Sequence, residues 1–385
     1  MRTRPPLLGK TAKAIILTAV FFTVGLAVYL QWLMPRGTAK EIELVTLEQR
    51  MPTPDEVRGI YVTSFVAAQY DLRNELTEMV ERTDLNAMVI DIKDAYGFLA
   101  FEPKRTETFE GVPRSSQMVP EYEEWLDELH EKGIYTIARM TVFQDTALAT
   151  THPEWAIRKS TGGIWRDWQE KGWIDPGSEE AWEYIADTAR EAYDLGFDEV
   201  NLDYIRFPSD GPISQIVYSY HRDAEVTKYE TMNEFFIWLD SGLHYLPIPL
   251  SIDIFGLTYL KQKQEDDMNI GQRITDTVDH FDYICPMLYA SHYTDGFFGF
   301  ENPAEHPYEV VKESLEVGHE IMEEVGGVPA QSRPWLQDFD MGADYGVKEV
   351  RDQIKAAREM GASGWLFWNA RNIYTEEAYY NLDQI

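Results

Sequence analysis

Two aspartates lie near the carboxyl ends of consecutive apolar segments, and a pair of carboxylates is what cleaves the glycosidic bond in most glycoside hydrolases. Asp203 occurs in the run NLDYIRFP and Asp253 in the run SIDIFG. An aspartate is costly within an apolar strand, so each needs a specific reason to be there. On adjacent strands about 4.8 Å apart, the two carboxylates could reach the separation of roughly 5 to 5.5 Å that a retaining glycosidase needs. Alternatively, each aspartate caps a loop or pairs with an arginine such as Arg139 or Arg206.

Polar and aromatic residues also end most of the other apolar segments. Asp91 and Lys93 share one face of the second segment, where they either bind sugar hydroxyls or form an internal ion pair. Side chains alternate along a strand, so Arg206 faces away from Asp203 unless a turn at Phe207-Pro208 swings it back. We expect these strand ends to form one binding mouth. The candidate substrate-binding residues are Tyr61, Asp91, Lys93, Arg139, Tyr204, Arg206, Tyr289, His292, Trp335, Gln337, Asp338, Trp368 and Asn369.

The elements that would position these residues alternate regularly from residue 57 onward. Short segments rich in β-branched and aromatic residues take turns with helical patterns, which indicates repeated βα units around a parallel sheet. Eight units predict a (β/α)8 TIM barrel, a fold whose active sites lie at the carboxyl ends of the strands. The predicted strands are Arg58–Phe65, Ala87–Lys93, Tyr135–Val142, Glu199–Ile205, Pro249–Phe255, Tyr283–Tyr289, Ala330–Leu336 and Gly364–Trp368. The predicted helices are Arg73–Glu81, Glu121–Lys132, Glu179–Leu195, Thr231–Leu239, Ile270–Asp279, Tyr308–Glu324 and Val347–Met360.

Two connections that follow predicted strands are long, residues 143–178 and 206–230. Both fall on the side of the barrel where βα loops build the site. The first connection is unusually rich in tryptophan, which either forms a small core beneath the loop or presents ring faces to sugars. Its tryptophans are Trp155, Trp165, Trp168 and Trp173.

The composition narrows the ligand classes. The chain has 385 residues, 44% hydrophobic and 13% aromatic, enough for one barrel with an N-terminal extension. Its net charge is −32, and residues 1–43 hold six Lys or Arg against two Glu, so the remainder carries −36. Such a field repels nucleic acid and anionic lipid surfaces, which favours a neutral or cationic ligand, here a polysaccharide or oligosaccharide. The single cysteine, Cys285, excludes an intramolecular disulfide and a cysteine-based zinc site. We predict neither a metal nor a cofactor.

The N-terminus carries the pattern of a membrane anchor. Residues 1–13 are basic, and residues 14–34 form an apolar run long enough to span a bilayer. The basic flank predicts a cytoplasmic start, a linker over 35–56 and a barrel over 57–385 on the extracytoplasmic side of the cell membrane. Gly25 and Ala27 offer an alternative cleavage site, in which case the protein is secreted. This helix is the only predicted contact with the membrane.

Five motifs together resemble a family of predicted glycoside hydrolases, domain of unknown function 4015, over roughly residues 57–380. The family is itself distantly similar to the α-amylase barrels of glycoside hydrolase family 13. The motifs are Gly59–Thr63, Asp91–Asp94, Asp203–Pro208, Pro286–Tyr293 and Pro334–Gln337.

The resemblance implies roles for particular acids. In the α-amylase barrels the nucleophile is an aspartate at the end of strand four, a position that Asp203 matches. Those enzymes place a glutamic acid at the end of strand five, where this chain has Asp253, and an aspartate at the end of strand seven, near Asp338. The replacement of glutamate by Asp253 leaves the identity of the general acid open.

These observations predict a retaining glycoside hydrolase of an extracellular or cell-wall polysaccharide, α-linked or containing amino sugars. Asp203 would attack the anomeric carbon, and Asp253 would protonate the leaving oxygen and then activate water. A non-catalytic, cell-surface glycan-binding protein on the same scaffold is the main alternative. A metal-dependent hydrolase or deacetylase is a second, but of eight histidines only His292 lies at a strand end.

Overall fold

The computed structural model describes residues 50–218, 226–260, 266–325 and 330–385. Within these ranges, no helix is both long enough and apolar enough to cross a bilayer. The predicted basic segment 1–13, the predicted span 14–34 and most of the predicted linker lie outside the described residues.

Eight parallel strands close into a barrel, as predicted. Neighbouring strands pair in chain order, and the last pairs with the first through Val57 and Gly364. The seventh strand is short, and the segment Gln331–Ser332 precedes it beside the sixth. The barrel strands are β1 Val57–Val62, β2 Ala87–Lys93, β3 Tyr135–Thr141, β4 Glu199–Asp203, β5 Leu250–Phe255, β6 Tyr283–Met287, β7 Trp335–Gln337 and β8 Gly364–Trp368. The prediction of a (β/α)8 barrel is therefore confirmed.

Amphipathic helices cover the outside of the barrel because one stripe of each is apolar. In the fifth, residues from Ala181 to Leu195 bury that stripe, and Gly196 ends the helix with a φ of 118°, a conformation that glycine adopts without strain. The helices are α1 Ser64–Ala67, α2 Tyr70–Arg82, α3 Tyr122–Glu131, α4 Thr146–Thr151, α5 Glu179–Leu195, α6 Lys228–Leu243, α7 Ile274–Thr277, α8 Pro307–Val325 and α9 Val347–Glu359.

One predicted helix is much shorter than expected. The pattern over 270–279 predicts nearly three turns, but α7 covers only Ile274–Thr277. Asn269 and Gly271 have φ values of 58° and 77°, so the backbone turns there instead of starting a helix. The Asp267 carboxylate accepts the backbone N–H groups of both residues and stabilises this turn.

Three strands end two or more residues earlier than predicted, and each ends where the chain turns toward the same rim. After β1, Thr63 caps α1 by accepting the backbone N–H of Val66. After β4, Tyr204 takes a left-handed φ of 51°. After β6, residues Ala290–His292 form a 3-10 turn. The residues that follow these strands therefore leave the ladder and face the mouth of the barrel.

The long connection after β3 forms a compact lobe at this rim. A two-residue strand within it, Arg158–Lys159, pairs antiparallel with Ile216–Val217 from the connection after β4. Trp165 and Trp173 are fully buried, so these rings form a local core. Trp168 differs, because its side chain is 73% exposed.

Candidate active site

A cavity of about 400 Å³ opens at the carboxyl ends of the strands. Acids and arginines form its floor, and aromatic side chains form most of its walls. Nine of the residues predicted from the sequence line it: Arg139, Asp203, Tyr204, Arg206, Asp253, Tyr289, His292, Trp335 and Trp368. The structure therefore brings both predicted catalytic aspartates into one site.

Arg139 of β3 lies at the centre of three buried aspartates. Its Nη1 donates to Asp91 Oδ1 at 2.5 Å, and its Nη2 donates to Asp203 Oδ2. Its Nε lies 3.9 Å from Asp253 Oδ2, too far for a hydrogen bond. One guanidinium thus faces three carboxyl groups, an imbalance that at least one carboxyl can relieve by holding a proton.

Asp91 lies behind this arginine and is not part of the cavity wall. The Tyr61 hydroxyl donates to Asp91 Oδ2, and the Tyr61 ring stacks on Trp368 with centroids 3.9 Å apart. Arg139 lies within about 5.5 Å of both ring centroids. Burial raises the pKa of Asp91 above its ordinary value, an effect that the charge of Arg139 opposes. Tyr61 and Asp91 therefore hold Arg139 in place from behind.

Asp203 and Asp253 lie at the same level on neighbouring strands. The register pairs Leu202 with Ile252, so the two aspartates that follow are opposite each other. Strands in a sheet lie about 4.8 Å apart, which sets the scale of the distance between the two side chains. Asp203 Oδ1 accepts the backbone N–H of Tyr204 at 2.6 Å while its Oδ2 is held by Arg139.

Asp253 is almost completely buried at the cavity floor, with 1% of its surface exposed. Its Oδ1 accepts two hydrogen bonds, from Trp335 Nε1 at 2.7 Å and from Asn201 Nδ2 at 2.9 Å. Burial raises the pKa of Asp253 well above its usual range, and the negative charge of Asp203 raises it further. Because Oδ1 is occupied by two donors, Oδ2 is the oxygen available to carry the proton.

Arg206 reaches the cavity because the chain turns at Tyr204. The left-handed φ of Tyr204 breaks the strand alternation that would point Arg206 outward. The guanidinium then lies among three rings, with its carbon 4.4 Å from the Phe255 centroid, 5.2 Å from Trp173 and 5.3 Å from Tyr204. Burial lowers the pKa of Arg206 from its ordinary value.

Aromatic side chains from the connection after β6 and from strands β7 and β8 complete the wall. Tyr289 and His292 follow β6 with ring centroids 5.3 Å apart, and burial lowers the pKa of His292. Trp335 and Trp368 meet edge to face at 5.8 Å. Burial raises the pKa of Tyr289 well above its ordinary value, and the nearby charge of Asp253 adds to the rise. These ring faces and the neutral imidazole suit a sugar, which presents both apolar C–H faces and hydroxyls.

Lys93 does not reach the cavity. It is fully buried, forms an ion pair with Asp145 at 2.6 Å and donates to the Thr141 carbonyl at 2.8 Å. The prediction that Lys93 shares a face of the strand with Asp91 is wrong, because the β2–β3 register shifts between these two residues. Lys93 forms an internal ion pair, the alternative left open by the sequence, but its partner comes from the connection after β3.

Three other predicted residues lie just outside the cavity wall. Gln337 accepts the Ser291 hydroxyl at 2.9 Å and donates to the Phe339 carbonyl. The Asp338 carboxylate accepts hydrogen bonds from the Tyr379 hydroxyl at 2.6 Å and from the hydroxyl and backbone N–H of Thr375. The backbone carbonyl of Asp338 accepts a hydrogen bond from Asn369 Nδ2. These contacts tie the rim to the C-terminal segment. The acid that the α-amylase likeness would place at strand seven is thereby occupied by structural hydrogen bonds.

Several residues of the site were not predicted. Asn201 is a hydrogen-bond donor to Asp253, and strand alternation, which puts it on the same face as Asp203, was the available signal. The other additions to the wall are Phe255, Gly256, Leu257, Met287 and Tyr293. Apolar residues at strand ends carry no chemical signal in a sequence, so these could not be distinguished from the core.

The acids of the site are arranged around an arginine. Across the described ranges, no group of three or more His, Cys, Asp or Glu side chains is placed to hold a metal ion. Arg139 occupies the centre of the three aspartates, where a cation would have to bind.

The chain is similar to several solved structures, and the first two named here share its barrel fold. The glycoside hydrolase domain of PgaB (BpsB) from Bordetella bronchiseptica is 12% identical with a TM-score of 0.59, and the match covers 85% of this chain and 98% of that one. The α-galactosidase TtGalA from Thermus thermophilus is 14% identical with a TM-score of 0.53, covering 87% and 61%. A hypothetical protein from Ruminiclostridium thermocellum ATCC 27405 is 29% identical with a TM-score of 0.45, covering 50% and 96%. No curated protein matches the sequence.

A family profile identifies the chain more directly. The profile matches residues 59–374, which include every strand of the barrel from Gly59 onward and both candidate catalytic aspartates. This match supports a glycosidase-like function, and the structural neighbours show that the barrel fold is shared. The more distant likeness to the α-amylase barrels stays a prediction. The chain therefore belongs to the DUF4015 family, described as a putative glycosyl hydrolase domain.

Proposed function

We propose that the barrel is a retaining glycoside hydrolase in which Asp203 is the nucleophile and Asp253 is the general acid and base. The observation that carries the proposal is the placement of the two carboxyl groups at one level on β4 and β5, in one cavity and around one arginine. Retaining enzymes need carboxyl groups roughly 5 to 5.5 Å apart, and a backbone spacing of about 4.8 Å between adjacent strands is compatible with that separation.

In the first step, a carboxylate oxygen of Asp203 attacks the anomeric carbon while the glycosidic C–O bond breaks. Asp253 transfers its proton from Oδ2 to the departing oxygen, so the leaving sugar departs as an alcohol. Burial supports this role because it raises the pKa of Asp253 well above its usual range and so favours the protonated acid. Arg139 and the Tyr204 N–H hold both oxygens of Asp203 in a fixed orientation.

In the second step, Asp253 is a carboxylate and accepts a proton from water as the water oxygen attacks the anomeric carbon. The bond to Asp203 breaks, and the sugar leaves with its original anomeric configuration. Among the described residues, Arg139 Nε has no hydrogen-bond acceptor and lies 3.9 Å from Asp253 Oδ2. This unpaired donor supports the cycle because it can stabilise Asp253 while that residue is ionised.

We propose a polysaccharide, extracellular or in the cell wall, as the substrate. The cavity is open at the rim and its walls are rich in aromatic rings, which supports binding of one segment of a longer chain. The apolar run 14–34 and its basic flank support a membrane anchor with the barrel outside the cytoplasm, or secretion after cleavage. Fractionation of cells expressing the full chain tests this location; recovery with the cytosolic proteins would contradict both forms of it.

The central experiment screens polysaccharides for release of reducing ends by the wild-type protein, Asp203→Asn and Asp338→Asn. Asp338 is the matched control, a buried rim aspartate outside the cavity. We expect Asp203→Asn to lose activity by on the order of 10³-fold or more, and Asp338→Asn to keep turnover per folded molecule within about threefold.

NMR of the anomeric configuration of the first product tests whether the enzyme is retaining. Retention supports the covalent mechanism, and inversion contradicts it. Full activity in Asp203→Asn would remove this residue from the reaction. Tight glycan binding without bond cleavage, unchanged by Asp203→Asn, would favour the non-catalytic binding protein instead.

A further inference from the structure

Arg206 is a cavity residue for which the hydrolysis described above has no use. It is 6% exposed, lines the cavity and lies between the rings of Phe255, Trp173 and Tyr204. Its Nη1 donates to the carbonyl of its neighbour Phe207 at 2.9 Å. Within the described ranges, its Nε and Nη2 donate to no protein acceptor, and no carboxylate lies within 4.0 Å of the guanidinium.

A buried arginine without a close carboxylate differs from the two arginines that lie inside the barrel and form direct ion pairs. Arg139 and Arg333 each contact at least one acid directly. Asp203, Asp210 and Asp167 attract Arg206 through space, but none of them forms an ion pair with it. Burying a charge without an ion-pair partner costs stability, so its retention beside a cavity points to a partner that arrives from outside.

The chemistry of the free edge defines that partner. Nε and Nη2 of an arginine form a planar fork that matches the two oxygens of a carboxylate or sulfate. The aromatic rings around the guanidinium limit access to its faces, which leaves the edge for binding. A sugar hydroxyl can accept one of these hydrogen bonds, but it cannot accept both donors and neutralise the charge.

We infer that Arg206 binds a negatively charged substituent, a carboxylate or a sulfate ester, on the sugar that occupies the cavity. The inference rests on the proposed function and narrows its substrate to an acidic glycan. In this inference, Arg206 determines the specificity of the cavity for acidic over neutral sugars.

The strong negative charge of the whole barrel does not oppose this assignment. The charge of −36 after residue 43 disfavours anions at long range, but salt screens exposed charges beyond about 8 Å at physiological ionic strength. In the cavity, Arg139 and Arg206 balance Asp91 and Asp203 when Asp253 is protonated. An anionic substituent therefore enters a locally balanced site. The sequence-based expectation of a neutral or cationic ligand describes the outer surface only.

The test compares the binding of matched sugars that differ only in charge. The probes are oligosaccharides containing glucuronate, galacturonate or mannuronate, each paired with its carboxyl-reduced form, and sulfated oligosaccharides paired with their desulfated forms. Binding is measured by calorimetry in the Asp203→Asn background, so that the probes are not consumed. We expect at least one anionic probe to bind about tenfold or more tightly than its neutral partner.

Arg206→Gln should reduce this preference to nearly onefold, and Arg206→Lys should retain part of it, because lysine keeps the charge without the fork. Arg73→Gln is the matched control. Arg73 is likewise a buried arginine with ring neighbours, Tyr70 and Trp125, and one backbone carbonyl acceptor, but it lies outside the cavity. It should leave the preference unchanged. Thermal unfolding of each variant shows whether it is folded.

Three results would overturn the inference: no preference for any anionic probe, an equal preference in Arg206→Gln, or an equal loss of binding for charged and neutral partners. Failure of the proposed function looks different. Hydrolysis of neutral glycans without an acidic preference contradicts the role of Arg206 and leaves the hydrolase intact. Arg206-dependent binding of acidic probes, with no cleavage by the wild-type protein, supports the role of Arg206 and contradicts the hydrolase.

Discussion

Two buried arginines that form direct ion pairs lie at opposite ends of the barrel, and their surroundings differ in charge balance. At the carboxyl end, Arg139 faces the carboxyl groups of Asp91, Asp203 and Asp253 beside an open cavity. At the amino end, Arg333 donates to both oxygens of Glu199 at 2.8 Å, and both side chains are fully buried. The Tyr135 hydroxyl donates to the same glutamate, and the Tyr283 ring lies 3.6 Å from the guanidinium.

The difference separates a structural ion pair from a reactive one. One arginine with one carboxylate is balanced, and its partners close it off from water. One arginine with three carboxyl groups is unbalanced, and burial together with the charge of Asp203 raises the pKa of Asp253 well above its usual range. An excess of one charge costs stability, so we interpret it as the mark of the end where the proposed chemistry takes place.

Removing the central cation should have the largest effect. In Arg139→Met, we expect kcat to fall by about 10³-fold and stability to fall by about 3 to 5 kcal/mol. The remaining buried carboxyl groups must take up protons, so the folded variant binds more protons than the unfolded chain. Its stability then falls as the pH rises. Denaturant unfolding at pH 5 and pH 8 measures this, with Arg139→Lys as the charge-preserving control. An equal loss at both pH values would contradict the proposed imbalance.

Asp253→Asn should reduce activity by about 10²- to 10³-fold on natural glycans. Asp253 works in its protonated form, so wild-type activity should fall as the pH rises through its raised pKa, and this alkaline limb should disappear in the variant. Aryl glycosides with good leaving groups need little acid assistance, so their cleavage should lose much less. A pH–rate profile with both substrate types measures this. An alkaline limb that survives in Asp253→Asn would assign the acid to another group.

At the balanced end, Glu199→Gln should reduce stability by about 3 kcal/mol, because it leaves Arg333 buried without a counter-charge. Activity per folded molecule and its pH profile should stay unchanged, since the change lies at the opposite end of the barrel. Chemical denaturation and a kinetic assay below the unfolding transition measure the two effects. Tyr135→Phe removes the hydroxyl that donates to the same glutamate and also contacts Thr53 and the Asp198 carbonyl, and it should cost about 1 kcal/mol. A shifted pH profile in Glu199→Gln would show that the two ends are coupled.

The smallest expected effect concerns Trp168 at the open rim. The neighbouring Asp167 accepts the Trp173 indole N–H at 3.0 Å, and Trp173 packs edge-on against the cavity residue Tyr204. We expect Trp168→Ala to slow the cleavage of long oligosaccharides by up to about tenfold, through loss of one stacking contact, and to leave the shortest substrates unaffected. Tyr245→Ala is the control, since Tyr245 is 60% exposed and follows α6 at the other end of the barrel. Equal effects on all chain lengths would contradict a distal subsite.

Local patterns predicted the architecture well, because strands and helices of a parallel barrel differ in their periodicity and glycines end several helices. Asp203, Asp253 and Arg139 could also be predicted, since charged residues at the ends of apolar strands have few other reasons to be there. The predictions for Lys93 and Asp338 were wrong because they depend on strand register and on contacts with distant parts of the chain. The register shift after Asp91 redirected Lys93, and the C-terminal segment engaged Asp338 through residues about 40 positions away. The turn that brings Arg206 inward begins at Tyr204, earlier than expected.

The barrel has a weak seam between β6 and β7. β6 first pairs with the short segment Gln331–Ser332, at Tyr283 with Gln331 and at Ile284 with Ser332. It pairs with β7 at a single position, Met287 with Trp335. Pro334 lies in the gap and has no N–H to contribute to the ladder. Local opening should be easiest there, so amide hydrogen exchange at Trp335 and Leu336 should be faster than in β5. Trp335 also provides the indole N–H that binds Asp253. Local opening of this seam would remove a hydrogen bond that Asp253 accepts. We therefore expect proton release by Asp253 to depend on how often the barrel wall opens between β6 and β7.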